Sequence, residues 1–256
     1  YLAKLRYDDA AKTFKTFVTL NPFHRSAPRF SMRVIETFTQ GGFPKLVLES
    51  KREFASNYGL KAEYWHHFKP EESPEVLAYL KANLKDLATH YHAQYQSEEK
   101  VEEKSANYQE ALRWYGDYLE SFPTDAESPG INFQLAGLIL ENKDFGEAAR
   151  EYERTAYGYP AHEKSAPAGY AAVYAYRQQL ESIKGREAQV RQLAPSSIDQ
   201  RDTVKRATIA SSLKFADAFS DHEQAAAILG AAADDMYEMK DYGAAEQYLK
   251  RVLGLL

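Results

Sequence analysis

"FGEAAREYERTAYGYPAHEKSAP" spans residues 145–167. Its large or small apolar positions are Phe145, Ala148, Tyr152 and Thr155, with Pro160 five residues beyond. Steps of three and four place these side chains on one face of an α-helix and turn the charged residues between them to water. The same spacing recurs at Tyr7, Ala10, Phe14, Phe17 and Pro22, at Tyr108, Ala111, Tyr115, Tyr118 and Pro123, and at Tyr242, Ala245, Leu249 and Val252. Each copy is predicted to be an amphipathic helix whose alanine marks the place where a neighbouring helix crosses closely.

Two of these helices are led by another apolar-periodic segment and a short turn. "INFQLAGLILENKDF" (131–145) precedes one and "AAAILGAAADDMYEMKDY" (225–242) the other, with "NKD" and "MKD" as turns. Leu135 with Ala136, and Ala232 with Ala233, supply the contacts a first helix needs. The repeating unit is therefore helix, tight turn, helix, proline stop.

Such a unit resembles the tetratricopeptide repeat (TPR), about 34 residues long, whose second helix carries the same aromatic, alanine, aromatic, proline spacing. The resemblance implies an all-α fold: a right-handed superhelical solenoid of antiparallel helix pairs, in which neighbours complete each other's core. It covers 1–59 as N-terminal repeats with the first truncated, 105–181, and 223–256 as a C-terminal repeat. The pattern departs at Ser50 and Glu53, where the family has apolar residues. Residues 60–104 read as an irregular enlarged helical unit with an aromatic insertion, and 182–222 as an irregular helical connection in which "APSSIDQRD" (194–202) is a loop whose Ser197 or Asp199 caps the next helix. Together these stretches form one continuous solenoid, irregular in the middle. The opening "YLAKLRYDDA" has neither an initiator Met nor a signal-peptide pattern, so the chain reads as a fragment of a longer one.

"YPAHEKSAP" (159–167) has an earlier counterpart in "NPFHRSAP" (21–28). The pair could be a histidine site stated twice. Within the period it reads as a seam: Pro160 stops one helix, Ser165 caps the next, Pro167 sits in its first turn, and His24 and His162 are turn residues. The spelling resembles the repeat junctions of exported bacterial envelope TPR proteins of the BamD and CpoB kind. That implies the bacterial periplasm, or the periplasmic face of the outer membrane, with a cytoplasmic address still open.

The chain has 256 residues, 44% hydrophobic and 27% charged, with a formal charge of -5. This suits an ordinary globular protein and shows no basic patch for nucleic acid. No apolar run approaches the roughly 18 residues of a membrane span. Without cysteine, disulfides, thiolate metal sites and cysteine nucleophiles are excluded.

His66 and His67, and His90 and His92, are spaced wrongly for two rings on one helix to share an ion. HExxH, GxSxG and phosphate-loop patterns do not occur; "QGGFP" (40–44) makes a turn, and "SEEKVEEKSA" (97–106) a solvated linker or helix entry. No catalytic, cofactor-binding or metal-binding residue is expected.

The resemblance implies a non-catalytic scaffold that binds a protein or peptide in a cell-envelope complex. Its alternative is the periplasmic arm of a larger assembly, such as a polysaccharide exporter, whose active or pore domain lies elsewhere. Laying the family pattern on the chain puts Ile35, Phe38, Phe133, Tyr170, Tyr174, Arg177, Asp234 and Tyr237 on the inner, partner-binding face. The Lys, Asn and Arg set of a dicarboxylate clamp is missing. In "EYWHHFKP" (63–70), Tyr64, Trp65 and Phe68 are either an aromatic cover over irregular helices or an exposed anchor for a partner. Self-association through the truncated ends is a further expectation.

Overall fold

A computed structural model describes the backbone of residues 2–188 and 195–255, and the side chains of 6–188 and 199–254. Among the described residues the chain is all-helical, with eleven α-helices packed in consecutive pairs and no strand. Two compact units, 1–128 and 129–256, divide it.

Unit 1 holds α1 (Leu2–Leu20), α2 (Ala27–Gly41), α3 (Pro44–Tyr58), α4 (Pro74–Ser97) and α5 (Val101–Ser121), with short 3-10 turns at Glu63–His66 and Pro70–Glu72. Each helix packs on the next in sequence. The long helix expected after the insertion is α4, and the acidic stretch after it enters α5 directly. Unit 2 is built from α6 (Ser128–Glu141, whose first residue closes unit 1), α7 (Phe145–Tyr157), α8 (Ser165–Glu187), α9 (Pro195–Ala218), α10 (Ala225–Glu238) and α11 (Tyr242–Leu255).

The expected loop at 194–202 is corrected: α9 already begins at Pro195, which can open a helix because its missing N–H falls among the unpaired first donors. Ser197 and Asp199 therefore lie inside the helix, and Ala194 lies outside the described residues.

The alanines sit where close crossing requires them. Ala111 and Ala148 are fully buried and Ala245 nearly so. The first copy is corrected by one position, since Ala10 is exposed and Ala11 is the buried residue, clustered with Val34 and Phe38 of α2. α1 packs chiefly on α2, so only the side of the helix that meets α2 needs a small residue.

One turn joins the two helices of three pairs. Gly42, Lys143 and Lys240 all have left-handed backbone, with φ of 71°, 64° and 65°. In each, the next residue donates its N–H five positions back: Phe43 to Phe38, Asp144 to Ile139, and Asp241 to Met236, at 3.0, 3.2 and 2.9 Å. The left-handed residue itself donates three positions back, to Thr39, Leu140 and Tyr237. These are Schellman closures, which satisfy the last carbonyls of the first helix and reverse the chain.

A second turn joins one pair to the next. The His24 carbonyl accepts the Ala27 N–H at 2.8 Å, and its Nδ1 accepts the Ser26 N–H at 3.1 Å. His162 does the same with Ser165 and Lys164, at 3.0 and 3.1 Å. His222 repeats it with Ala225 and Gln224, at 2.8 and 3.2 Å, and Asp125 uses Oδ1 on Glu127 and its carbonyl on Ser128, both at 3.0 Å. An imidazole Nδ1 thus takes the place of an aspartate oxygen in an Asx-type turn.

The capping expectation for Ser165 is corrected in direction. Ser165 is the first residue of α8, and its Oγ reaches back to accept the His162 N–H at 3.0 Å; Lys164 is the cap and makes no side-chain cap bond.

Candidate partner-binding surface

The seam turns fix a register for the first helix of each pair, because each helix begins three residues after the seam residue. In that register Ile35 is equivalent to Ala136, Val173 and Ala233, and Phe38 to Ile139, Tyr176 and Met236. Of these, all but Tyr176 are buried, with Ile35 and Phe38 only 2% and 6% exposed. Both are core residues of α2 and offer no surface to a partner. The family pattern, which carries no seam to set its phase, puts them on the inner face, whereas the structure puts them in the core.

The same register leaves outward-facing positions on unit 2. Tyr170, Tyr174 and Arg177 follow one another by four and three on α8, and Asp234 and Tyr237 by three on α10. Tyr174 and Tyr237 are 48% and 64% exposed, and Asp234 is exposed. Tyr170 is half-exposed, with its ring stacked on His222 at 6.1 Å. Phe133 on α6 is partly buried edge-on against Tyr152, with the Lys164 ammonium 6.0 Å from its ring.

An ion-pair network ties α8 to α10 beneath these tyrosines. Arg177 Nη2 lies 3.2 Å from Asp235 Oδ2, and Lys205 of α9 reaches Asp235 at 3.9 Å while bonding Glu238. Burial raises the Asp235 carboxyl above its usual range, against the opposing pull of Arg177 and Lys205. Glu238 is held low by the hydrogen bond and charge of Lys205. Two cations thus face two carboxylates across the helices, Arg177 meeting Asp235 as a charge contact without hydrogen-bond geometry.

In unit 1 the aromatic insertion turns inward. Tyr64 and Trp65 are 3% and 9% exposed, and Phe68 is partly buried against Tyr64 at 4.8 Å. Trp65 Nε1 donates to the Tyr58 carbonyl at 2.9 Å, and the Tyr64 ring meets Tyr58 and Trp65 edge-on. Of the two readings of this stretch, the arrangement is that of a cover, since the Tyr64 and Trp65 rings have little surface left for a partner.

The histidine pairs do not converge. His92 Nδ1 lies 3.0 Å from the Tyr115 hydroxyl, whereas His67 packs on Phe23. Among the described residues no group of three or more His, Asp or Glu stands close enough to hold a metal ion, and no helix is long and apolar enough to cross a membrane. The seams at Asp125 and His222 were not legible from the "SAP" spelling; their signal is a His or Asp three residues before the small residue that opens the next helix. No protein-family model matches this chain, and a comparison with curated proteins gives no significant match.

Proposed function

We propose that this chain is a non-catalytic TPR-like scaffold, a right-handed superhelical solenoid, that binds a protein or peptide in a bacterial cell-envelope complex on the periplasmic side. The repeated Schellman closures and seam turns support the repeat reading. The exposed tyrosines of α8 and α10 support the binding reading and carry it. Tyrosine combines a large amphipathic contact area with few rotatable bonds, so ordering it at an interface costs little entropy. Tyr174 and Tyr237 are open to solvent on helices that the Arg177 and Asp235 pair already fixes, so a partner would meet a preformed surface.

A photo-crosslinking residue placed at Tyr174 or Tyr237 in the source cell, with one at exposed Val101 as a control, tests this. A discrete protein adduct from the tyrosine positions alone is expected. Equal adducts from all three, or none, would sink the proposal.

A further inference from the structure

Unit 1 contains a cleft of about 460 Å³ between α1, α2, α3 and the 3-10 turn at Glu63–His66. It opens where the sequence leaves the repeat pattern, at Ser50 and Glu53. Ser50 is 6% exposed, and its hydroxyl has no hydrogen-bond partner among the described residues. Nearby, the Ser31 and Tyr58 hydroxyls lie 3.2 Å apart, and the side chains of Ser56 and Asn57 line the wall without a partner among the described residues. At the mouth the Lys15 ammonium and Glu53 carboxylate bond each other at 2.7 Å, beside Phe23, which is 42% exposed.

We propose that this cleft binds a small, uncharged, hydroxyl-rich ligand of the size and class of a single sugar unit. The Ser50 hydroxyl keeps the floor of the cleft polar, whereas an apolar side chain at position 50 would fill the gap. An incoming hydroxyl can therefore pair with it where solvent otherwise would. Serine hydroxyls and the Asn57 amide both donate and accept, matching ligand groups that do the same.

Burial pushes the Tyr58 phenol up to about 12, against the Ser31 hydrogen bond, so it stays protonated and able to donate. The charges at the mouth are spent on each other, and the remaining one that lines the cleft is Glu63, which repels anions. Phe23 and Pro22 offer the apolar patch that the ring face of a sugar can cover. The volume lies within the roughly 300–1,000 Å³ of ordinary small-molecule sites.

Backbone-amide NMR on the whole chain, titrated with glucose, galactose and N-acetylglucosamine, tests this. At least one should shift the amides around Ser31, Ser50 and Tyr58, with millimolar affinity. Ser50→Leu should abolish those shifts with an unchanged or higher melting temperature. Ser50→Ala, which removes the hydroxyl without adding bulk, should weaken binding severalfold.

No shift with any of the three sugars overturns the proposal. So does binding that survives Ser50→Leu, or shifts at the cleft that require a phosphorylated or carboxylated sugar.

Discussion

The two units use aromatic side chains in opposite ways. In unit 1, Tyr58, Tyr64 and Trp65 are buried around the 3-10 turn and seal an irregular joint. In unit 2, Tyr174 and Tyr237 stand in solvent on helices fixed by an ion-pair network. Residue type alone does not separate these uses. What separates them is the backbone beneath: a joint outside the repeat must find its own core, while a regular helix pair has its core already and can spend tyrosines outward.

The strongest test of that contrast is Trp65→Ala, which should cost about 3–5 kcal/mol in a denaturant melt, because it empties the centre of the seal. A loss below about 1 kcal/mol would mean the insertion rests loosely on unit 1. The shared framework is probed by Ala111→Leu in unit 1 and Ala148→Leu in unit 2. Each should lose about 1–3 kcal/mol by overpacking, and a cost in one unit alone would show that the two do not share a crossing rule.

Next in size is Asp125→Ala, which removes the bonds to Lys81, the Tyr118 hydroxyl and the Glu127 N–H and should cost about 1.5–3 kcal/mol. Asp125→Asn, which keeps the turn acceptor, should cost less. Burial alone would raise the Asp125 carboxyl, but Lys81 and the Glu127 N–H outweigh it and hold it below its ordinary 3.8. Because the folded value is depressed, its stabilisation is present above the unfolded value and lost as pH falls through the folded one. An acid titration should therefore separate wild type from Asp125→Asn above about pH 4, and the two should converge below it.

The histidine seams give a smaller contrast. His162 Nε2 donates to the Thr155 carbonyl at 2.9 Å while Nδ1 accepts from Lys164, so His162→Ala should cost about 1 kcal/mol. In the earlier copy the position of Thr155 is Phe17, and His24 packs edge-on to that ring at 5.3 Å. His24→Ala should cost about half as much, as its one hydrogen bond is exposed. If the double alanine variant abolished partner binding with no change in melting, the seams would be sites after all. Smallest of all, Tyr174→Ala and Tyr237→Ala should stay within about 0.5 kcal/mol of wild type in stability, since neither side chain is buried.

The helices were legible because a period of three and four survives in any sequence that buries one face, and α7 and α10 show it plainly. What the period cannot supply is phase. Ile35 and Phe38 fit the period as well as exposed Tyr174 and Tyr237 do until the seam is known to begin each helix three residues after His or Asp, and then both fall on the buried face. The aromatic insertion was undecidable for a related reason, since burial of Tyr64 and Trp65 depends on the Tyr58 carbonyl and ring, which no local spacing announces. The cleft at Ser50 was visible only as a departure from pattern. Its meaning came from the unpaired hydroxyl behind it.

Packing helices on their successors within each unit also has a kinetic consequence. Contacts that join neighbours in sequence close short loops, so little chain entropy is lost before the first apolar contacts form. Any helix pair can therefore nucleate, and within a unit its seam turn, made from bonds within four residues, presents the next helix already aimed. Folding of each unit should be fast and local, able to follow the chain as it is made.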